Sequence, residues 1–328
     1  MGLLVEGKWQ DRWYDTSKSR GRFERDPARF RSWITPDGSR GPSASRGFEA
    51  AAGRYHLYVS LACPWASRTL ILRKLKDLEE VISVSSVKPH MLDNGWEFGR
   101  TDSEDAAFAD PLYGKRYLHE IYTLADPKCS GRVTVPVLWD KKRETIVNNE
   151  SSEIIRMLNS SFAAFAGSDT DYYPEHLRPD IDAVNDVVYR NVNNGVYRAG
   201  FATTQKAYEE AFDALFETLD TLEERLSRQR YLVGAAITEA DWRLFTTLVR
   251  FDAVYYGHFK TNLRRVADYP NLSNYLRDLY QYDGVASTVD FNHIKQHYYY
   301  SHGTINPTRI VPKGPALDLN APHDRGRF

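Results

Sequence analysis

The order of elements predicts an α/β domain followed by an all-helical one. Three observations carry this. Short runs rich in β-branched and aromatic residues, or alternating apolar with polar, lie in the first half of the chain. From about residue 175 the texture changes to long stretches of helical spacing. The length of 328 residues suits roughly two domains of about 100–200 residues each.

Residues 1–54 are rich in Arg, Gly, Ser and Asp, with breaks at Pro27, Pro36 and Pro42. Trp9, Trp13, Phe23, Phe30 and Trp33 are too many aromatics for a free tail, so the segment is expected to be an extension packed on the body. Tyr55 to Ser60 reads as a strand. Pro64 opens a helix to about Leu78, proline being favoured at the first helical position. Val81 to Val87 alternates and reads as the next strand, completing a βαβ unit. Residues 88–112 are a long connection, and 113–126 are expected to be helical. Val133 to Trp139 and Thr145 to Val147 read as two strands joined by a charged turn, with a helix from about Ser151 to Leu158. This order, β-α-β then β-β-α, resembles a thioredoxin-like domain, placed at 55–168.

The second domain, 169–300, is expected to hold helices at 180–191, 204–226, 238–255 and 271–280. Thr238-Glu239-Ala240-Asp241 has the form of a capping box, in which hydroxyl and carboxylate each serve an exposed amide. Residues 301–328, with four prolines, are expected to be an irregular tail.

Composition excludes several classes. Lys and Arg number 43 against 44 Asp and Glu, and a nucleic-acid binder usually shows a basic excess. No stretch reaches the ~20 apolar residues of a membrane helix. The N-terminus lacks the apolar run of a secretory signal. Two cysteines, Cys63 and Cys129, make neither a disulfide framework nor a multi-cysteine metal site. His293 and His297 are spaced i, i+4, but a metal needs more ligands. The expectation is a cytoplasmic protein, where a free thiol persists.

The strongest motif is Cys63-Pro64-Trp65-Ala66, set between a strand and a helix. A helix N-terminus favours the thiolate, the reactive form of cysteine, through its amides and the positive end of its dipole. The fourth position is Ala66, so the site cannot resolve its own mixed disulfide, and an outside thiol must finish the cycle. Cys129 is expected to be incidental.

Several stretches together are similar to the glutathionyl-hydroquinone reductases, the Xi class of glutathione transferases. They are YHLYVSLACPWASRTLILRKL at 55–75, Asn94-Gly95-Trp96, SGRVTVPVLWDKK at 130–142, NNESSEIIRM at 148–157, NNGVYRAGFAT at 193–203, TEADWRLFTTLVRFDAVY at 238–255 and SHGTINPT at 301–308. The resemblance covers essentially the whole chain. It implies a thioredoxin-like N-terminal domain, an all-α C-terminal domain and a homodimer. It also implies reduction of a glutathionyl-hydroquinone by glutathione, with glutathione as the co-substrate; no further cofactor is needed, and charge, hydropathy and ligand spacing point to no nucleic acid, membrane or metal.

Roles follow residue by residue from that resemblance. Cys63 matches the nucleophile. Trp96, Arg132, Val133, Thr134, Val135, Glu150 and Ser151 match glutathione-binding positions. An extended backbone at Val135 can pair with the tripeptide, and Pro136 is implied to be cis. Glu150 suits the γ-glutamyl ammonium, Ser151 and the amides behind it the carboxylate, and Arg132 the glycyl carboxylate. Tyr197, Tyr255 and Tyr298 match the acceptor pocket. Tyr197 is the expected proton donor toward the hydroquinone. Tyr255 is expected to help hold the thiolate, and Tyr298 sits in a Tyr-Tyr-Tyr run whose register is open. Two alternatives stay open at this point: an omega-like thiol transferase or dehydroascorbate reductase, and a non-catalytic scaffold.

Overall fold

A computed structural model describes residues 2–42 and 46–328. The chain divides into two compact units. One comprises Met1–Trp13 and Asp26–Thr170, the other Tyr14–Arg25 and Asp171–Phe328. The extension is therefore no body of its own, since its middle segment counts with the helical unit.

The first unit is built on a four-stranded sheet. Its strands are β5 (Tyr55–Val59), β6 (Ile82–Ser86), β10 (Val137–Asp140) and β11 (Thr145–Asn148), in the order β11-β10-β5-β6. β5 and β6 are parallel, whereas β10 runs antiparallel to both β5 and β11. The crossover from β5 to β6 is α1 (Pro64–Leu75), and α3 (Ser151–Ser160) packs beside it. β5 is buried at every position, as an inner strand covered on both faces must be. α1 buries Leu70, Ile71, Leu72 and Leu75.

His56 lies fully buried in β5, its ring nitrogens 2.8 Å from both Ser83 Oγ and Ser85 Oγ. Burial pushes its pKa down to about 3. The unfolded chain, with an ordinary histidine, takes up a proton that the folded chain refuses. Stability is therefore full above the unfolded pKa near 6.5 and falls as pH drops below it. Between pH 7.5 and 5 the wild type is expected to lose about 2 kcal/mol through this residue. Denaturant midpoints of the wild type and of His56→Asn at the two pH values check it, with the variant losing less.

Three departures from the sequence reading have physical causes. The strand expected from Val133 begins only at Val137, since Pro136 has no N–H to give to a ladder. The helix expected over 113–126 contracts to α2 (Leu118–Ala125). The amides of Leu112, Tyr113 and Lys115 are taken by the Asp110 carboxylate, which holds that stretch as a loop. The extension carries β1 (Leu3–Val5), β2 (Lys8–Gln10), β3 (Trp33–Thr35) and β4 (Gly47–Glu49), three residues each and too short to show a period. β1 pairs with β2 and with β9 (Gly131–Arg132), and β3 pairs with β4. A further small hairpin joins β7 (Met91–Leu92) to β8 (Gly95–Trp96).

The second unit contains α4 (Arg178–Val188), α5 (Gly195–Gly200), α6 (Gln205–Leu226), α7 (Glu239–Arg250), α8 (Tyr256–His258), α9 (Pro270–Tyr280) and α10 (Phe291–Lys295). The helix expected to run to Tyr255 leaves α-geometry after Arg250 and continues as a π-turn, Phe251–Tyr255. The capping box at Thr238 forms, and its carboxylate reaches further than the motif requires. Asp241, fully buried, accepts from the amides of Thr238 and Leu232, from Thr238 Oγ1 and from the Tyr275 hydroxyl. Burial raises its pKa and these hydrogen bonds pull it back, with burial the larger effect.

Two other segments belong to this unit. Phe23 from the extension is buried against Phe201, and Arg22 pairs with Glu210 at 2.8 Å. Arg325 of the tail gives its guanidinium to the carbonyls of Leu226, Gln229 and Arg230.

Candidate active site

Cys63 is the N-cap of α1, with Pro64 at the first helical position and the cap backbone extended. Its carbonyl accepts from the Ser67 amide, the first turn's bond, so the thiol sits where the helix dipole is most positive. Sγ lies 3.5 Å from the Val135 carbonyl oxygen, and the Val135–Pro136 peptide is cis. The Val135 amide makes no hydrogen bond to any described residue, which leaves a backbone donor on the residue whose carbonyl meets the sulfur. Cys63 is partly exposed, whereas Cys129 is buried, and burial pushes the Cys129 thiol up, away from the reactive form.

The remaining residues expected to hold glutathione all fall in this unit. Thr134 has its backbone taken on both sides by one phenol: its amide donates to Tyr122 Oη at 3.2 Å, and that hydroxyl donates to its carbonyl at 2.8 Å. Val133 and Val135 are buried, as is Trp96 in the small hairpin. Arg132 is no solvated turn residue: its guanidinium donates to the Arg12 carbonyl at 2.5 Å and lies 3.6 Å from Asp26. Glu150 is the N-cap of α3, and its carboxylate accepts from the Ser152 amide and hydroxyl. Ser151 is buried, and its Oγ accepts from Arg68 Nη1 at 3.4 Å.

Arg68 is one of three residues the sequence reading missed. It is 1% exposed and lies 4.5 Å over the Trp65 ring. The signal was present: Arg68 falls on the stripe of Ile71, Leu72 and Leu75 (i+3, i+4, i+7), where a cation must have a buried partner. Tyr122 and Asn149 were missed for another reason, because their partners are distant in sequence.

The three expected tyrosines meet within the second unit. Tyr197 Oη is 2.5 Å from Tyr298 Oη, and Tyr255 Oη is 3.1 Å from it. The run Tyr298-Tyr299-Tyr300 thus has a definite register: Tyr298 points to the trio, whereas Tyr299 reaches the Ala253 carbonyl. Tyr255 closes one π-turn and Tyr298 lies in a second, Gln296–Tyr300. Such turns re-aim side chains and are frequent at functional sites. Burial pushes the Tyr298 phenol well above its ordinary pKa, with Arg250 opposing, so it stays protonated. The Arg25 guanidinium lies 5.1 Å over the Tyr197 ring. His293 and His297 are both buried, the first in α10 and the second within the second π-turn.

Two domain families match the chain: the glutathione S-transferase N-terminal domain over residues 62–161 and its C-terminal domain over 205–278. The chain is 57% identical over 325 residues to the glutathionyl-hydroquinone reductase YqjG of Escherichia coli, covering 99% of this chain and 98% of that one. The chain belongs to the glutathionyl-hydroquinone reductases, the Xi class of glutathione transferases. The solved glutathione-bound structure of YqjG superposes on all of both chains, with a TM-score of 0.91 and 54% identity in that superposition. A Xi-class transferase from Natrialba magadii gives 0.90 at 46% identity, covering 100% of this chain and 97% of the other. Xi-class membership agrees with the lone thiol at the helix start, because Ala66 leaves the reductase fold dependent on an external thiol. Among the described residues no helix is long and apolar enough to cross a membrane.

Proposed function

We propose that this enzyme reduces glutathionyl-hydroquinones with glutathione through a mixed disulfide on Cys63. The observation that carries the reading is the Cys63 N-cap, 3.5 Å from the Val135 carbonyl, in a chain whose family is that of the reductases. The Cys63 thiolate attacks the glutathionyl sulfur. A sulfur–sulfur bond forms, the carbon–sulfur bond to the ring breaks, and its electron pair leaves with the ring, which takes up a proton. The thiolate of a second glutathione then attacks the mixed disulfide, releasing glutathione disulfide and the Cys63 thiolate.

Trp96, Arg132, Val133, Thr134, Val135, Glu150 and Ser151 are proposed to hold the glutathionyl part. The open Val135 amide supports backbone pairing with the tripeptide. Tyr197 is proposed to give the proton to the departing hydroquinone, with Tyr255 and Tyr298 completing the acceptor set. The hydrogen-bonded trio supports this, because a phenol that accepts from another phenol is a better donor onward. A homodimer in the cytoplasm, using no cofactor beyond glutathione, completes the proposal.

The test supplies a glutathionyl-hydroquinone and glutathione and follows both products. Free hydroquinone and glutathione disulfide are expected in equal amounts, and no turnover by the wild type overturns the reading. Tyr197→Phe is expected to slow hydroquinone release roughly 100-fold, the low end of general-acid effects. Its reduction of a simple glutathione mixed disulfide should hardly change. Equal slowing of both reactions would reject Tyr197 as the acid.

A further inference from the structure

We infer that the N-terminal extension is a positioning clasp for the glutathione site, with Arg31 as its central residue. The inference rests on the site reading above. Every backbone segment proposed to hold glutathione is tied to the extension within the first unit.

The tightest tie is at the turn into α3. Phe30 and Asn149 exchange hydrogen bonds, Phe30 amide to Asn149 Oδ1 at 3.0 Å and Asn149 amide to the Phe30 carbonyl at 3.1 Å. The Ser32 amide donates to the Val147 carbonyl, and Asn148 Nδ2 donates to the Ser32 carbonyl. The extension thus adds itself to the outer edge of β11, a strand addition with backbone bonds. Arg31 crosses the same turn with a two-point ion pair to Glu153, Nε at 2.7 Å and Nη2 at 2.5 Å. Glu153 also accepts from Asn148 Nδ2 at 2.7 Å, and Asn148 Oδ1 accepts the Glu150 amide at 2.7 Å. A continuous polar chain therefore runs from Arg31 through Glu153 and Asn148 to the backbone of Glu150.

The other segments are held likewise. Asn149 Nδ2 donates to the Tyr122 hydroxyl, which fixes both backbone groups of Thr134. β1 pairs with Arg132 directly, and the Arg12 carbonyl takes its guanidinium. Trp9 packs on the small hairpin, donating to the Asp93 carbonyl at 2.9 Å. Its ring is so close to Gly95 (φ +73°) that a Cβ there would sit 2.7 Å from it. Arg31 touches no proposed ligand atom, so it acts through Glu150 as a positioning residue. Held loops bind the tripeptide without an ordering cost; released loops must be ordered by it.

The experiment measures alkylation of Cys63 by iodoacetamide, read at its own peptide, against increasing S-methylglutathione. That probe has no thiol to oxidise or to consume the reagent. Arg31→Ala is expected to raise the protecting concentration about tenfold, the equivalent of about 1.4 kcal/mol. The rate without probe should stay within about twofold, because the thiol at α1 does not depend on the clasp. Arg31→Lys, which keeps the charge but not the two-point geometry, is expected to shift it less. It carries the test if the alanine variant fails to fold. Arg22→Ala, which breaks an extension ion pair in the second unit, should shift nothing. A protected wild type with unmoved midpoints in the Arg31 variants would overturn the clasp alone. A shift in Arg22→Ala equal to that in Arg31→Ala would also overturn it, as a mere effect of stability. An unprotected wild type would overturn the site reading and the clasp with it.

Discussion

Cys63→Ser is expected to lower hydroquinone release by at least roughly 1000-fold, the scale on which loss of a covalent nucleophile is felt. A serine hydroxyl at the same N-cap remains protonated at neutral pH, whereas a thiol there yields an anion that the helix dipole supports. The fold should hardly notice the change. Cys63 is partly exposed, its side-chain contact to the Val135 carbonyl is long at 3.5 Å, and serine is a favoured N-cap. The thermal midpoint should therefore move by no more than a few degrees. Mass spectrometry of the wild type under limiting glutathione should show the glutathione adduct on the Cys63 peptide, and the variant should show none. A Cys63→Ser enzyme with substantial turnover would mean that a different group attacks the sulfur. Buried Cys129, its thiol held in the neutral form, offers no substitute.

The second large effect is on stability. Asp241→Ala is expected to cost about 3–5 kcal/mol, measured as a fall in denaturant midpoint. The carboxylate collects four donors: two amides and two hydroxyls, from Leu232, Thr238 and Tyr275. Its removal leaves several of these buried without acceptors, each at about 1–3 kcal/mol, less whatever water regains. Thr238→Ala removes one hydroxyl from the same cluster and should cost only about 1 kcal/mol. Similar losses for the two variants would show that the box is simple helix initiation and that the longer reach of Asp241 adds nothing.

The comparison of these two residues shows what was legible in the chain. The capping box could be read because helix starts are local: hydroxyl and carboxylate three positions apart serve amides of the same turn. The Leu232 and Tyr275 partners could not, because they come from other segments of the unit. The same division holds at the active site. Strand, Cys63, Pro64 and helix are consecutive, so the thiol's place was plain. Glu150 at a helix start was legible for the same reason. The anchoring of Arg132 was not, since its β1 partner Leu3 lies 129 positions before it. The strands of the extension have three residues each, fewer than a period-two signal needs. Tyr298 could be assigned only through the family, because three consecutive tyrosines offer no contrast. Its π-turn, which decides the register, has no simple sequence mark.

The division of the extension between the two units bears on how this protein can be taken apart. The polypeptide passes from one unit to the other at residues 13–14, 25–26 and 170–171. A gene fragment beginning at 171 would encode every helix α4 to α10 yet lack Phe23 and Arg22, which fill and tie that same body. A fragment ending at 170 would carry those residues with nothing to bury them. The halves are thus not interchangeable modules, and shuffling either one with a relative would require the segment 14–25 to travel with the helices.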